Sequence, residues 1–153
     1  MRIEVETPLQ DDIRALVKQL NEYMMPLTPK EFQFQLTVEQ MAEPGVTLFV
    51  ARNDANQAIG MGALKQHDAQ LGEVKRMFTL DENRGERIGS KILKEIEDLA
   101  RSNELKELKL ETGEAPGFEL AWRLYERNGY KTCGAFLDYP DSGYSRFYFK
   151  KIA

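Results

Sequence analysis

The residue types best suited to chemistry lie in one stretch, Lys75-Arg76-Met77-Phe78-Thr79-Leu80-Asp81-Glu82-Asn83-Arg84-Gly85-Glu86-Arg87-Ile88-Gly89-Ser90. It reads as a strand, a short loop and the first turn of a helix. A helix start exposes backbone N–H groups that have no intrahelical acceptor, at the positive end of the helix dipole, so it can hold an anion. Gly85 and Gly89 permit close backbone approach, and Arg84, Arg87 and Lys91 add positive charge. A pyrophosphate would suit this loop, although a surface turn with solvated charges has the same composition. The G-x-G-x-x-G loop of dinucleotide folds fits poorly, because the glycines are misplaced and a three-strand meander precedes the loop.

The remaining candidates are single residues. Tyr125 shares a helical face with Ala121 and Leu124, so by periodicity alone it is a core tyrosine with its hydroxyl at the rim. Glu73 at the start of one strand and Glu111 at the end of another could each take a proton, or could be exposed strand charges. His67 and Cys133 have no partner at catalytic spacing. A lone cysteine excludes an internal disulfide, and a lone histidine excludes the usual zinc pairs, so no metal is expected.

The elements that would position these residues follow from periodicity. The 153 residues form one domain's worth of chain, and the expectation is a single domain over 1–153. Arg2 to Glu6 alternate as a half-buried strand, and Thr7-Pro8-Leu9-Gln10 has the form of a capping box that starts a helix with its stripe at Ile13, Leu16, Val17, Leu20 and Met24. Thr28-Pro29-Lys30-Glu31 repeats that signature, but Phe32, Phe34 and Leu36 alternate, so the region up to Met41 is expected as short, irregular helix. Residues 47–51, 58–65 and 73–80 read as a three-strand meander, and Ile88, Ile92, Leu93, Ile96, Leu99 and Ala100 as a helix. A strand over Glu107 to Thr112, a helix carrying Tyr125, and strands over Tyr130 to Leu137 and Ser145 to Lys151 complete a mixed sheet.

Twenty-one Lys and Arg against 25 Asp and Glu give a net charge of -4, which repels nucleic acid and leaves a local basic patch to bind a small anion. Arg2, Glu4 and Glu6 interrupt what would be the apolar region of a signal peptide, and no run could span a bilayer. The expectation is a cytoplasmic protein without a nucleic-acid or membrane partner.

The order of elements and two motifs resemble the GNAT superfamily of acyl-CoA N-acyltransferases over nearly the whole chain. Arg84-Gly85-Glu86-Arg87-Ile88-Gly89 is similar to the family's Q/R-x-x-G-x-G/A loop, but Arg87 stands where the first motif glycine belongs. Its N–H could still serve a pyrophosphate if φ there is negative. Ala121-Trp122-Arg123-Leu124-Tyr125-Glu126-Arg127-Asn128-Gly129-Tyr130 is similar to A-x-x-L-Y-x-x-x-G-F/Y, with Phe118 where the family often has asparagine.

The resemblance implies an α+β fold: a central mixed, mainly antiparallel sheet of about seven strands, flanked by about four helices and splayed between two central strands. It implies that Arg84, Gly85, Glu86, Arg87, Ile88, Gly89 and Ser90 hold the pyrophosphate of acetyl-CoA, with Met77, Phe78 and Thr79 along its pantetheine arm. Tyr125 would protonate the departing thiolate, a step a phenol of pKa ~10 can perform for a thiol of ~8.5. Glu73, where many members keep a glutamate, or its rival Glu111 would take a proton from the amine. Tyr23, Met24, Met25, Leu27, Phe32 and Phe34 would either line the acceptor pocket or pack as core. The implied activity is direct acetyl transfer to a primary amine, either a small molecule or a peptide N-terminus or Lys. An acyl-CoA-binding sensor without turnover is the alternative that the missing glycine leaves open, and a nucleotide-binding oxidoreductase is a more distant one. Homodimers are common in the family, so a homodimer stays open as well.

Overall fold

A computed structural model describes residues 1–153. Its strands are β1 (Arg2–Val5), β2 (Val46–Arg52), β3 (Ala58–Gln66), β4 (Leu71–Thr79), β5 (Glu107–Gly113), β6 (Lys131–Cys133) and β7 (Ser145–Lys151). The helices are α1 (Asp11–Met24), α2 (Val38–Met41), α3 (Ile88–Ser102) and α4 (Glu119–Arg127), with short 3-10 turns at Lys30–Phe32, Asp81–Asn83 and Pro116–Phe118. The strands form one sheet in the order β1-β2-β3-β4-β5-β7-β6, and only the β4–β5 pair is parallel. This is the α+β architecture that the sequence implied. No helix is long and apolar enough to cross a membrane.

Alternation along the strands feeds two cores. Leu48 and Val50 of β2 face α1 and α2, where Ile13, Leu16, Val17, Leu20, Val38 and Met41 close one cluster. Phe49 and Ala51 face the other way, onto Ile88, Ile92, Leu93, Ile96 and Ala100 of α3, a cluster that also takes in Tyr125, Tyr130 and Tyr148. The period of 3.6 on the helices and of 2 on the strands therefore assigns each helix to a sheet face.

Three sequence expectations need correction, one of them the strand over Tyr130 to Leu137, of which only Lys131–Cys133 pairs as a strand. The turn at Thr7 is not the helix start: Thr7 Oγ1 accepts from Leu9 N at 3.1 Å, Gln10 Nε2 donates to Thr7 O at 2.7 Å, and α1 begins only at Asp11. Strand β1 is an edge strand that leaves Val5 60% exposed, with Ile3 its only side chain packed against the core. The true capping box lies later, where Thr37 Oγ1 accepts from Gln40 N at 3.1 Å and Gln40 Oε1 accepts from Thr37 N at 2.8 Å.

One irregularity shapes everything near the sheet centre. Pairing of β3 with β4 runs Gly60↔Thr79 and Met61↔Phe78, then resumes at Ala63↔Lys75, so Arg76 and Met77 together oppose Gly62. Arg76 has φ +57, the extra residue of a bulge, and parity changes across it. Val74 and Met77 pack on the α3 face, whereas Arg76 reaches α1 on the other. Gly62 makes room for this arrangement, since a Cβ there would lie 2.3 Å from Met77 Sδ and 2.7 Å from Ile92 Cγ2.

Ile92 is fully buried and lies against both Gly60 and Gly62, so it anchors α3 on the bulged strands. Truncation by Ile92→Ala should cost ~2–5 kcal/mol. It should appear in urea unfolding as a lower midpoint at unchanged slope; a midpoint equal to that of the wild type would show that α3 is anchored elsewhere.

Candidate active site

β4 and β5 are hydrogen-bonded neighbours only at Leu71↔Glu107, Gly72↔Leu108 and Glu73↔Lys109. Beyond Glu73 they separate, because the bulge turns β4 while β5 stays registered on β7 from Glu107↔Lys151 to Gly113↔Ser145. A cavity of about 570 Å³ opens in this splay, reaching from Leu20, Tyr23 and Met24 of α1 to the start of α3 and the inner face of α4. Tyr23 bridges its walls: the hydroxyl donates to Gly117 O at 2.6 Å, and the Arg84 guanidinium lies 5.9 Å from its ring centre.

The start of α3 forms one end of the cavity. Lys91 N is the first donor of the helix to bond within it, reaching Arg87 O at 3.1 Å, and no side chain caps the end. The N–H groups of Ile88, Gly89 and Ser90 are thus available, as an anion site requires. Arg87 has φ +60, not the negative value that the sequence reading asked for: the chain keeps the glycine-type backbone at this position without the glycine. Gly85, at φ +92, makes the turn. The role of Gly89 is packing, because a Cβ there would lie 3.0 Å from Leu124 Cδ2 and push α4 off α3. Asn128 Nδ2 donates to Ser90 Oγ at 3.0 Å and ties the two helices at this point.

Of the residues singled out in sequence, Met77, Phe78, Thr79, Arg84, Gly85, Arg87, Ile88, Gly89, Ser90, Glu111 and Tyr125 line the cavity. Glu86 does not; it accepts from Asn83 Nδ2 at 3.0 Å on the exposed side of the loop. Met24, Phe32 and Phe34 also line it, as does Tyr23, while Met25 is 63% exposed outside it.

Tyr125 is 6% exposed, and its ring centre lies 6.0 Å from that of Tyr130 and 5.9 Å from that of Tyr148. The Tyr130 and Tyr148 hydroxyls donate to Glu97 at 3.0 Å and Glu126 at 2.6 Å, but the Tyr125 hydroxyl has no partner within the protein and faces the cavity. Burial, helped by the Glu111 charge, holds it well above the usual phenol value. It is therefore a protonated donor at neutral pH.

Glu111 projects from β5 and accepts from Ser145 Oγ at 2.7 Å. Burial pushes its carboxyl above the usual value, against the opposing pull of that hydrogen bond and of the Lys75 charge. Glu73 sits differently. It is 2% exposed and absent from the cavity wall, and its carboxylate is engaged by His67 Nε2 at 2.7 Å, Tyr139 Oη at 2.5 Å and Lys75 Nζ at 3.4 Å.

Sequence reading passed over Arg76, Arg123, Arg127 and Tyr139. Among the charged residues that line the cavity, Lys75, Arg76, Arg84, Arg87, Arg123 and Arg127 stand against one carboxylate, Glu111. A signal for the bulge was present: Lys75 and Arg76 stand together between the inward-facing Val74 and Met77, which breaks the alternation of β4. Tyr139, in the loop between β6 and β7, gave no such sign.

Comparison with known proteins agrees with this geometry. Residues 44–132 match the acetyltransferase (GNAT) domain family. The chain is 36% identical over 148 residues to a protein of Azospirillum brasilense named IAA acetyltransferase, covering 96% of this chain and 95% of that one. It is 33% identical over 147 residues to the uncharacterized N-acetyltransferase YsnE of Bacillus subtilis (strain 168), covering 93% and 97%. A structure of a proposed acyl-CoA N-acyltransferase from Klebsiella pneumoniae superposes with a TM-score of 0.83 at 30% identity, over 99% of this chain and 97% of that one. An aminoglycoside 6'-N-acetyltransferase complexed with coenzyme A shares the fold at a TM-score of 0.75 and 16% identity, over 100% and 98%. The chain belongs to the GNAT acetyltransferase family, whose members take an acyl group from an acyl-CoA donor.

Proposed function

We propose that the protein transfers an acetyl group from acetyl-CoA to a primary amine by direct attack, with Tyr125 as general acid and Glu111 as general base. The observation that carries this reading is the convergence on one cavity of an uncapped helix start, the Tyr125 hydroxyl with no partner in the protein and the half-buried carboxyl group of Glu111. Two relatives named as acetyltransferases support acetyl as the group moved.

The residues fit the donor by their chemistry. The N–H groups at the start of α3, with Arg84 and Arg87, suit a pyrophosphate, and the unpaired inner edge of β4 over Met77 to Thr79 suits the amides of a pantetheine arm. Glu111 takes one proton from the ammonium group and passes it to solvent. The exposed lone pair attacks the thioester carbon, a C–N bond forms, and the C–S bond breaks as the tetrahedral centre collapses. Tyr125 gives its proton to the departing sulfur and recovers one from the amine nitrogen, which ends as an amide N–H. The burial that raises the Tyr125 phenol also disfavours a bare thiolate in the same cavity, so donor and acceptor stay matched. Glu73 is the weaker candidate for the base, since three groups already hold its carboxylate.

Thiol release from acetyl-CoA across a panel of primary amines tests the activity; cofactor binding with no release for any amine would remove it. Tyr125→Phe should lower kcat by ~10²–10⁴-fold where chemistry limits turnover. Its melting temperature should stay near that of the wild type, because the lost hydroxyl has no partner. Equal turnover in the two proteins would end the acid role.

For Glu111 the raised pKa gives a signed expectation. A carboxyl raised on folding contributes stability below its unfolded value that is lost as pH climbs through the folded one. Glu111→Gln should therefore melt higher than the wild type at neutral pH, with the gap closing toward pH 4.5, while turnover falls. In the wild type, the acid limb of kcat/KM should lie above the ordinary carboxylate range. A variant of lower stability at neutral pH would contradict the buried-charge assignment.

A further inference from the structure

Two arginines of the sheet are buried, and their surroundings differ. Arg52, 5% exposed, is neutralised by Glu6, with contacts of 2.8 Å from Nε and from Nη2, and by Asp12 at 2.7 Å, and it also donates to Asn56 O at 2.9 Å. Arg76, 7% exposed, has no carboxylate partner; its one hydrogen bond runs from Nη2 to the neutral Oδ1 of Asn21, and Nε is buried with no partner. Removing a charge from water without pairing it is costly, and native chains rarely leave a guanidinium in that state. Burial lowers its pKa only to about 10, so the charge persists at neutral pH.

The fold goes out of its way to put it there. Regular alternation would turn residue 76 toward α3, but the positive φ of the bulge delivers its side chain to the α1 side, into the cavity wall beside Lys75 and Phe34. The start of α3 is a poor source for the missing anion, since Arg76 reaches Asn21 of α1 on one side of the sheet while α3 packs on the other. Nor does the wall suit a polycationic acceptor, with Glu111 its sole carboxylate.

We infer that Arg76 binds a carboxylate carried by the acceptor amine, so that the preferred acceptors are amino acids and not simple amines or polycations. The inference rests on the acyl-transfer reading above and narrows its substrate class. Arg76 acts here as a specificity determinant, and the planar guanidinium suits a two-oxygen anion.

The test pairs α-amino acids such as phenylalanine and methionine with their decarboxylated amines, using acetyl-CoA and thiol release. Wild type should favour the amino acid in kcat/KM by on the order of 10–100-fold, the scale of a charge-assisted hydrogen bond lost in a closed site. In Arg76→Gln that ratio should fall toward one, and Arg76→Lys should restore part of it; melting curves report whether each variant folds. A wild-type ratio near one with vigorous turnover would overturn the inference and leave the acetyltransferase reading standing. Preference for succinyl-CoA over acetyl-CoA, without discrimination among acceptors, would assign the carboxylate to the acyl group and equally overturn it. If no amine releases thiol, the acetyltransferase reading fails. Calorimetry of wild type with N-acetyl-phenylalanine and N-acetyl-phenethylamine, in the presence of CoA, then decides the carboxylate site: tighter binding of the acid supports it, and equal or absent binding overturns it.

Discussion

β4 and β5 share backbone hydrogen bonds over three residue pairs and then part inside a sheet that is covered on both faces. Buried backbone donors and acceptors nearly always find partners, so an unpaired inner edge at the centre of a sheet is a demand for something to pair with it. The strands cannot satisfy the demand by closing. β5 is held along its whole length by β7, β4 is held by β3, and the bulge at Arg76 bends β4 away. An extended ligand bearing amides can take the place of the absent strand partner, which is why we propose the splay as the donor site. Helix α3 packs under the bulged strands, so its uncapped start falls at the open end of the same gap.

The electrostatics are local. A chain of net charge -4 nevertheless gathers six cations against one carboxylate around the cavity. For Glu111 and Tyr125 burial is the leading influence, and both are pushed toward their neutral forms, Glu111 despite the nearby Lys75 charge. A carboxyl raised in this way is a better base near neutrality than an exposed one, while the phenol stays a proton donor. Glu73 plays a different part: it is buried and its carboxyl group is held by His67, Lys75 and Tyr139, an arrangement that ties the loop before β7 to β4.

Periodicity was enough to read the sheet, its two helical layers and the loop that opens α3, because each depends on local spacing. The splay between two central strands came from the family resemblance, and the placing of β7 between β5 and β6 is a long-range pairing that local spacing does not reveal. Other features escaped for specific reasons. The turn at Thr7 has the residues of a capping box, yet a side chain can satisfy a turn or a helix with the same bonds, and here Gln10 turns back onto Thr7 O. Glu73 and Glu111 look alike in sequence, and only the packing of Tyr139 and His67, one of them distant in the chain, separates them. Arg76 stands in the sequence as one more charged residue of the stretch Lys75 to Ser90; its burial depends on the parity change at the bulge, which Gly62 on the neighbouring strand makes room for.

Arg87 connects these levels. A non-glycine residue at φ +60 costs roughly 1–2 kcal/mol relative to a right-handed conformation, and strain of that kind persists only where the surroundings over-determine the backbone. Here they do. Ile88 is 2% exposed and fixed in the α3 core, Gly85 sets the preceding turn at φ +92, and the contact of Gly89 with Leu124 fixes the helix axis against α4. With both flanks held, residue 87 stays in the left-handed region although it is not a glycine. The N–H groups behind it keep the direction that a glycine would have given them, and the guanidinium of Arg87 adds a positive charge at the cavity wall. An arginine in place of the motif glycine therefore exchanges conformational ease for charge at the helix start where we propose that the pyrophosphate binds.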